Sequence, residues 1–217
     1  MKTDAVVKQD VETELRWSPE VDDTDIATKV RDGIVMLTGY ACSYFEKHQA
    51  ELAVKRVAGV AAIVNDLQVR PAAGAAPTDP EIARAALAAL KGELPELWQS
   101  IRPTVHEGRI FLEGHVQWQF QRQQAESAVR RVPGIMGVRN SIELAPSVEP
   151  KDVTRSIEAA FRRSAEFDAA GISIEAHGPE VLLRGEVRSW AERDQAQQTA
   201  WAAPGVTNVI NEIRVRV

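Results

Sequence analysis

Apolar and polar positions alternate along this chain in one fixed order, and the chain repeats that order three times. Residues 4–17 place Val7, Val11 and Leu15 at i, i+4 and i+8 among charges, which predicts one stripe of an amphipathic helix. The same stripe returns as Ile82, Ala86, Leu90 and as Val153, Ile157, Phe161, at constant offsets of 75 and then 71 residues. A polar, turn-prone segment follows, then a short alternating run: Ile26, Thr28, Val30; Ile101, Pro103, Val105; Ile172, Ile174, Ala176. Alternation of period two predicts a strand. Pro103 has no N–H to donate, which makes that strand an edge.

The turns Asp32-Gly33 and Glu107-Gly108 suit a tight hairpin. In the third copy, His177-Gly178-Pro179 moves the glycine by one place. A second strand then alternates through Val35, Leu37, Gly39, Ala41 and its counterparts Ile110, Leu112, Gly114, Val116 and Val181, Leu183, Gly185, Val187. Gly39, Gly114 and Gly185 share the parity of the core residues, so a helix is expected to cross closely there or the strand to bend. A second helix is predicted over about 44–57, 119–132 and 190–203, ending on Gly59, Gly134 and Gly205. The third strand carries Ile63, Asn65, Leu67, Val69 on one parity, repeated as Val138, Asn140, Ile142, Leu144 and Val209, Asn211, Ile213, Val215.

Each unit therefore reads α-β-β-α-β. A tight turn makes the first two strands antiparallel, and a helical crossover makes the last two parallel. The expected fold class is α+β: three tandem domains, each a small mixed three-stranded sheet with two helices on one face. The domains span 1–70, 79–145 and 149–217, with linkers at 71–78 and 146–148. Both linkers are short and border on proline, so neighbouring units are expected to stay close.

The pattern G-x-V-x-L-x-G, a charged helix, then G-V-x-x-V-x-N-x-L-x-V resembles the BON domain family. Gly33, Val35, Leu37, Gly39, Gly59, Val60, Ile63, Asn65, Leu67 and Val69 carry the first copy, and the other two follow it position by position apart from the shifted Gly178 of the third. The resemblance implies a non-enzymatic binding module of envelope and stress-related proteins. Some relatives contact anionic phospholipid, and one cytosolic relative binds potassium. This chain differs from the envelope members in having no attachment cysteine near its start and in carrying three copies.

Charge narrows the partners. The net charge is −5, with 9 basic against 12 acidic residues over 1–70, 8 against 8 over 79–145 and 9 against 11 over 149–217. No unit has a basic excess, so nucleic acid is not an expected partner. Residues 1–15 show no apolar core of a secretory signal, and no window reaches membrane-spanning length. The expected location is the cytoplasm, or the periplasm only if a signal has been removed.

Candidate chemistry is thin. Asn65, Asn140 and Asn211 sit at inward parity in all three copies, and a buried amide without partners costs about 1–3 kcal/mol. They are read as ties between side chain and backbone rather than as ligands. Ser43…Glu46 and Ser189…Glu192 are capping boxes, whereas the second unit has Trp118…Gln121, with Phe120 beside it. Trp118 and Phe120 are accordingly candidates for contact with a partner or with an adjacent unit. His48, His106, His115 and His177 lack metal-ligand spacing. Cys42, six residues from His48, has nothing nearby to orient a thiolate–imidazole pair. Arg130-Arg131 and Arg162-Arg163 read as solvated helix faces. No phosphate-binding loop, dinucleotide fingerprint or nucleophile elbow is present. The sequence thus predicts a protein that is not an enzyme and needs no cofactor or metal centre, contacting phospholipid headgroups or a protein, with potassium binding as the alternative.

Overall fold

A computed structural model describes residues 2–70, 76–145, 172–203 and 205–216. The first repeat runs α1 (Asp4–Trp17), β1 (Ile26–Arg31), β2 (Ile34–Ala41), α2 (Tyr44–Arg56), β3 (Ala62–Asn65) and β4 (Gln68–Val69). The second runs α3 (Asp79–Glu93), β5 (Ile101–His106), β6 (Arg109–Val116), α4 (Gln119–Arg130) and β7 (Gly137–Leu144). The third shows β8 (Ile172–His177), β9 (Glu180–Val187), α5 (Trp190–Trp201) and β10 (Asn208–Val215). The stripe Val153, Ile157, Phe161 and the pair Arg162-Arg163 lie outside the described residues.

The strand orders β1-β2-β3, β5-β6-β7 and β10-β9-β8 place the second strand of each repeat in the middle. It pairs antiparallel with the first and parallel with the third. The α+β expectation of three mixed sheets is therefore met, and Pro103 does lie on an edge strand. In the first repeat the third strand is interrupted at Asp66 and Leu67, and Asp66 N–H bonds the Leu37 carbonyl across the break.

The hairpin chemistry matches the turn residues. Asp32 and Gly33 both have positive φ (52° and 73°), as do Glu107 and Gly108 (49° and 71°). Two positive φ values are what a type I′ turn requires. Gly178 alone supplies the positive φ in the third copy (62°), as a II′ turn needs, with Pro179 following.

Two compact bodies emerge from the contacts. One comprises Met1–Gly39, His48–Leu67 and Val148–Val217; the other comprises Tyr40–Lys47 and Gln68–Ser147. In the first body, Val7, Val11 and Leu15 of α1 pack on Val35, Leu37, Val54 and Leu67. A separate cluster of the same body joins Val181, Leu183, Ala196, Ala200 and Ile213. The second body buries Ile82, Ala86 and Leu90 of α3 against Ile110, Leu112, Val129 and Ile142.

The inward glycine has a specific cause. A Cβ on Gly39 would sit 2.0 Å from the Asp25 carbonyl oxygen, and one on Gly114 would sit 2.0 Å from that of Ser100. Their φ values, like that of Gly185, are strongly positive (115°, 136° and 144°). What approaches is the carbonyl of the 3₁₀ turn entering the first strand (Asp23–Asp25, Trp98–Ser100), not a crossing helix. Gly114→Ala is expected to destabilise the full chain by at least about 2–3 kcal/mol in urea unfolding, strain and a displaced carbonyl together. Gly178→Ala, with nothing within 4 Å of the added carbon, should cost only about 1–2 kcal/mol.

At the start of α3, Glu81 accepts from the Thr78 N–H and hydroxyl, both at 2.8 Å. These bonds, the backbone one first, hold the Glu81 carboxyl below its ordinary range. The folded state thus takes up that proton less readily than the unfolded chain. The stabilisation is complete above the ordinary carboxylate pKa and fades as pH falls through the lower folded value. Glu81→Gln is expected to flatten the acid limb of a stability–pH curve by lowering its neutral plateau, while the acid end, where Glu81 is itself protonated, changes little.

Candidate functional site

The three asparagines sit at the seam between sheet and second helix. Asn140 Nδ2 donates to the Arg122 carbonyl (2.9 Å) and Glu126 Oε2 (3.1 Å), while its Oδ1 accepts from Ile142 N–H (3.1 Å). Asn211 repeats the set with the Arg193 carbonyl (3.3 Å), Gln197 (3.1 Å) and Ile213 N–H (3.1 Å). Asn65 bonds Glu51 at a loose 3.5 Å and accepts from Leu67 N–H at 3.3 Å. Each amide is spent on holding a helix to a strand, which leaves it poorly placed to take a ligand.

A second polar tie was not singled out in the sequence. Asp4 accepts from both turn N–H groups, Asp32 at 2.8 Å and Gly33 at 2.9 Å; Asp79 does the same for Glu107 and Gly108, both at 2.9 Å. One carboxylate latches a helix start to a hairpin tip. The shared offset of 75 residues was the available signal. The matching sequence positions in the third copy are Pro150 for the acceptor and Gly178 and Pro179 for the donors, so the acceptor and one of its two donor N–H groups disappear together.

The helix starts are where the copies diverge. Ser43 Oγ accepts from Glu46 N–H (3.1 Å), and Ser189 Oγ accepts from Glu192 N–H (3.2 Å). At Trp118 no side-chain oxygen can cap, yet Gln121 Oε1 still accepts from the N–H groups of Trp118 (3.0 Å) and Gln117 (3.1 Å). The box keeps one of its two arms. Trp118 is half-buried and Phe120 is 60% exposed.

The next position serves as a joint in the other two copies. Tyr44 packs against the second-repeat core, with the Arg131 guanidinium 4.9 Å from the neighbouring Phe45 ring. Trp190 packs against the first-repeat core and donates Nε1–H to the Val60 carbonyl at 3.1 Å, beside a Lys55–Asp194 ion pair at 3.0 Å. The second copy has Gln119 there, whose Oε1 is shielded from solvent without a partner. Trp17, 82% exposed at the end of α1, is copy-specific, since Gly92 and Arg163 stand at the matching sequence positions.

The remaining candidates are peripheral. His106, His115 and His177 are exposed, and His115 lies 3.4 Å from Glu143. Cys42 is exposed, and Glu46, first by hydrogen bonding, pushes its thiol up, away from a reactive thiolate. Arg130 is paired with Glu126. Among the described residues no three His, Cys, Asp or Glu side chains converge to hold a metal ion, and no helix is long and apolar enough to cross a membrane.

Comparison with known proteins fits this threefold plan. The BON domain family pattern matches residues 3–71, 78–146 and 151–217. Osmotically-inducible protein Y of Escherichia coli K12 is 28% identical over 148 residues, covering 64% of this chain and 72% of that protein. Among solved structures, the C-terminal domain of CdsD, a structural protein of the Chlamydia trachomatis type III secretion system, is 13% identical with a TM-score of 0.27, covering all of both chains. The periplasmic domain of PrgH is 14% identical with a TM-score of 0.24, covering 96% of this chain and 100% of that one. Structural likeness that slight carries no argument about function.

Asn140→Ala is expected to cost about 1–3 kcal/mol in urea unfolding, because it leaves the Ile142 N–H without its acceptor and cuts the tie from the strand to the Arg122 carbonyl and Glu126 of α4. Any ligand contact made by the folded chain should survive it.

Proposed function

The chain belongs to the BON-domain family, and on that footing we propose that it is a stress-related tandem binding protein without catalytic chemistry. Its contact surface is the start of α4, and its partner is a phospholipid headgroup surface. The observation that carries this reading is Phe120, 60% exposed beside half-buried Trp118. The corresponding Phe45 has an arginine over its ring, and the third copy holds Ala191 there. Aromatic side chains that present an apolar body at a wet boundary suit the headgroup layer. The similarity to an osmotically inducible protein supports the stress-related role.

Co-sedimentation with anionic and with neutral vesicles at low salt tests the reading. The chain should pellet with the anionic vesicles, and Phe120→Ser should abolish pelleting at an unchanged melting temperature. Absence of pelleting by the wild type would sink the lipid reading and leave a protein partner for this surface. Loss on Trp17→Ser but not on Phe120→Ser would move the contact to the first repeat.

A further inference from the structure

The open face of the second-repeat sheet sorts its charges by row. Nearest the hairpin, His106 stands opposite Arg109, which stands opposite Gly137. In the next row Thr104, Phe111 and Arg139 lie side by side. A Cβ on Gly137 would be 3.5 Å from Arg109 Nη1, so the guanidinium reaches across β7 over a position with no side chain. Arg139 is the next outward residue on that strand. Neither arginine forms an ion pair or side-chain hydrogen bond with the described residues.

No carboxylate belongs to these two rows. The acids of the face, Glu113 and Glu143, come in the following rows. There they line, with Ser100, Arg102, His115 and Ser141, an open concavity of about 600 Å³. Phe111, half-buried, stands between the two chemistries.

We propose that this face binds a nucleoside monophosphate. Arg109 and Arg139 converge on one phosphate, for which planar guanidinium forks are the suited donors. The base stacks on Phe111. Its polar edge meets the donors and acceptors of the concavity. Outward rows on a strand lie about 7 Å apart, which matches the reach from a nucleotide's phosphate to its base.

The other two copies carry different chemistry on this face, one apolar and one with its charges paired. The first repeat has Ile34, Met36 and Val64 where the second has Arg109, Phe111 and Arg139. The third has Glu180, Leu182 and Ile210, and its outward Arg184 is neutralised by Glu175 (2.8 Å) and Glu212 (2.9 Å). A neutral whole-repeat charge therefore conceals a face whose hairpin half is basic.

Equilibrium dialysis of the full chain against adenosine monophosphate at low ionic strength tests the proposal, with inorganic phosphate and phosphatidylglycerol vesicles as competitors. Saturable binding of one nucleotide per chain, with a dissociation constant below about 1 mM, is expected. Arg109→Gln and Arg139→Gln should each weaken it at least tenfold, and Phe111→Leu, which keeps the bulk and loses the ring, several-fold. Inorganic phosphate should compete only weakly, and the vesicles should not compete. Absence of saturable binding in the low millimolar range overturns the proposal. So does phosphate binding as tightly as the nucleotide, displacement by vesicles, or a Phe111→Leu variant of unchanged affinity.

Discussion

Each repeat hangs on its central strand. A three-stranded sheet backed by helices on one face has a single layer of inward side chains, and the middle strand supplies its deepest members: Val35 and Leu37, Ile110 and Leu112, Val181 and Leu183 are all sealed from solvent. The strand must satisfy an antiparallel partner on one side and a parallel one on the other. In the first and second repeats it must also let the incoming 3₁₀ turn lay a carbonyl against its inward surface. Only a residue without a Cβ meets that last demand. The glycine is thus as much a part of the core as the aliphatics around it, although it buries nothing itself.

Much of this was legible because it repeats. Strand parity identified the inward aliphatics, turn residues identified the hairpins, and proline identified an edge. The glycine's position was readable, but what approaches it was not, since the turn carbonyl comes from backbone that leaves no side-chain signature. The Asp4 and Asp79 latches escaped because an acidic residue at a helix start is already explained by the helix dipole. The Tyr44 and Trp190 joints escaped because aromatic residues in a first helical turn look like any surface position until a neighbour is in view. Net charge summed over a repeat hid the arginines on the β5-β6-β7 face. Counting by strand parity instead would have separated Arg109 and Arg139 from Glu126 and Glu81 on the helices.

The three copies keep one interior and spend their differences outside it. The first repeat's sheet leaves Ile34 and Met36 on the open side, the second leaves arginines and Phe111, and the third binds its charges to one another through Arg184. At the helix starts the contrast is sharper still. Two copies insert an aromatic ring beside a foreign core, and the second shifts its ring back by one residue, exposes Phe120, and shields an unpartnered amide oxygen at Gln119. Departures from locally optimal chemistry concentrate where a chain does something besides fold.

The Trp190 indole has a consequence for how the chain comes into being. Its donor nitrogen finds the Val60 carbonyl across 130 residues of sequence, and its ring completes packing around the first repeat's core. A polypeptide is made from its amino terminus, so the first repeat leaves the ribosome with that flank bare. It stays unfinished while the whole second repeat is synthesised, and only the start of the last helix closes it. Ribosome-bound chains ending before and after that helix therefore carry first repeats of different stability, and the last copy acts in part as the final piece of the first.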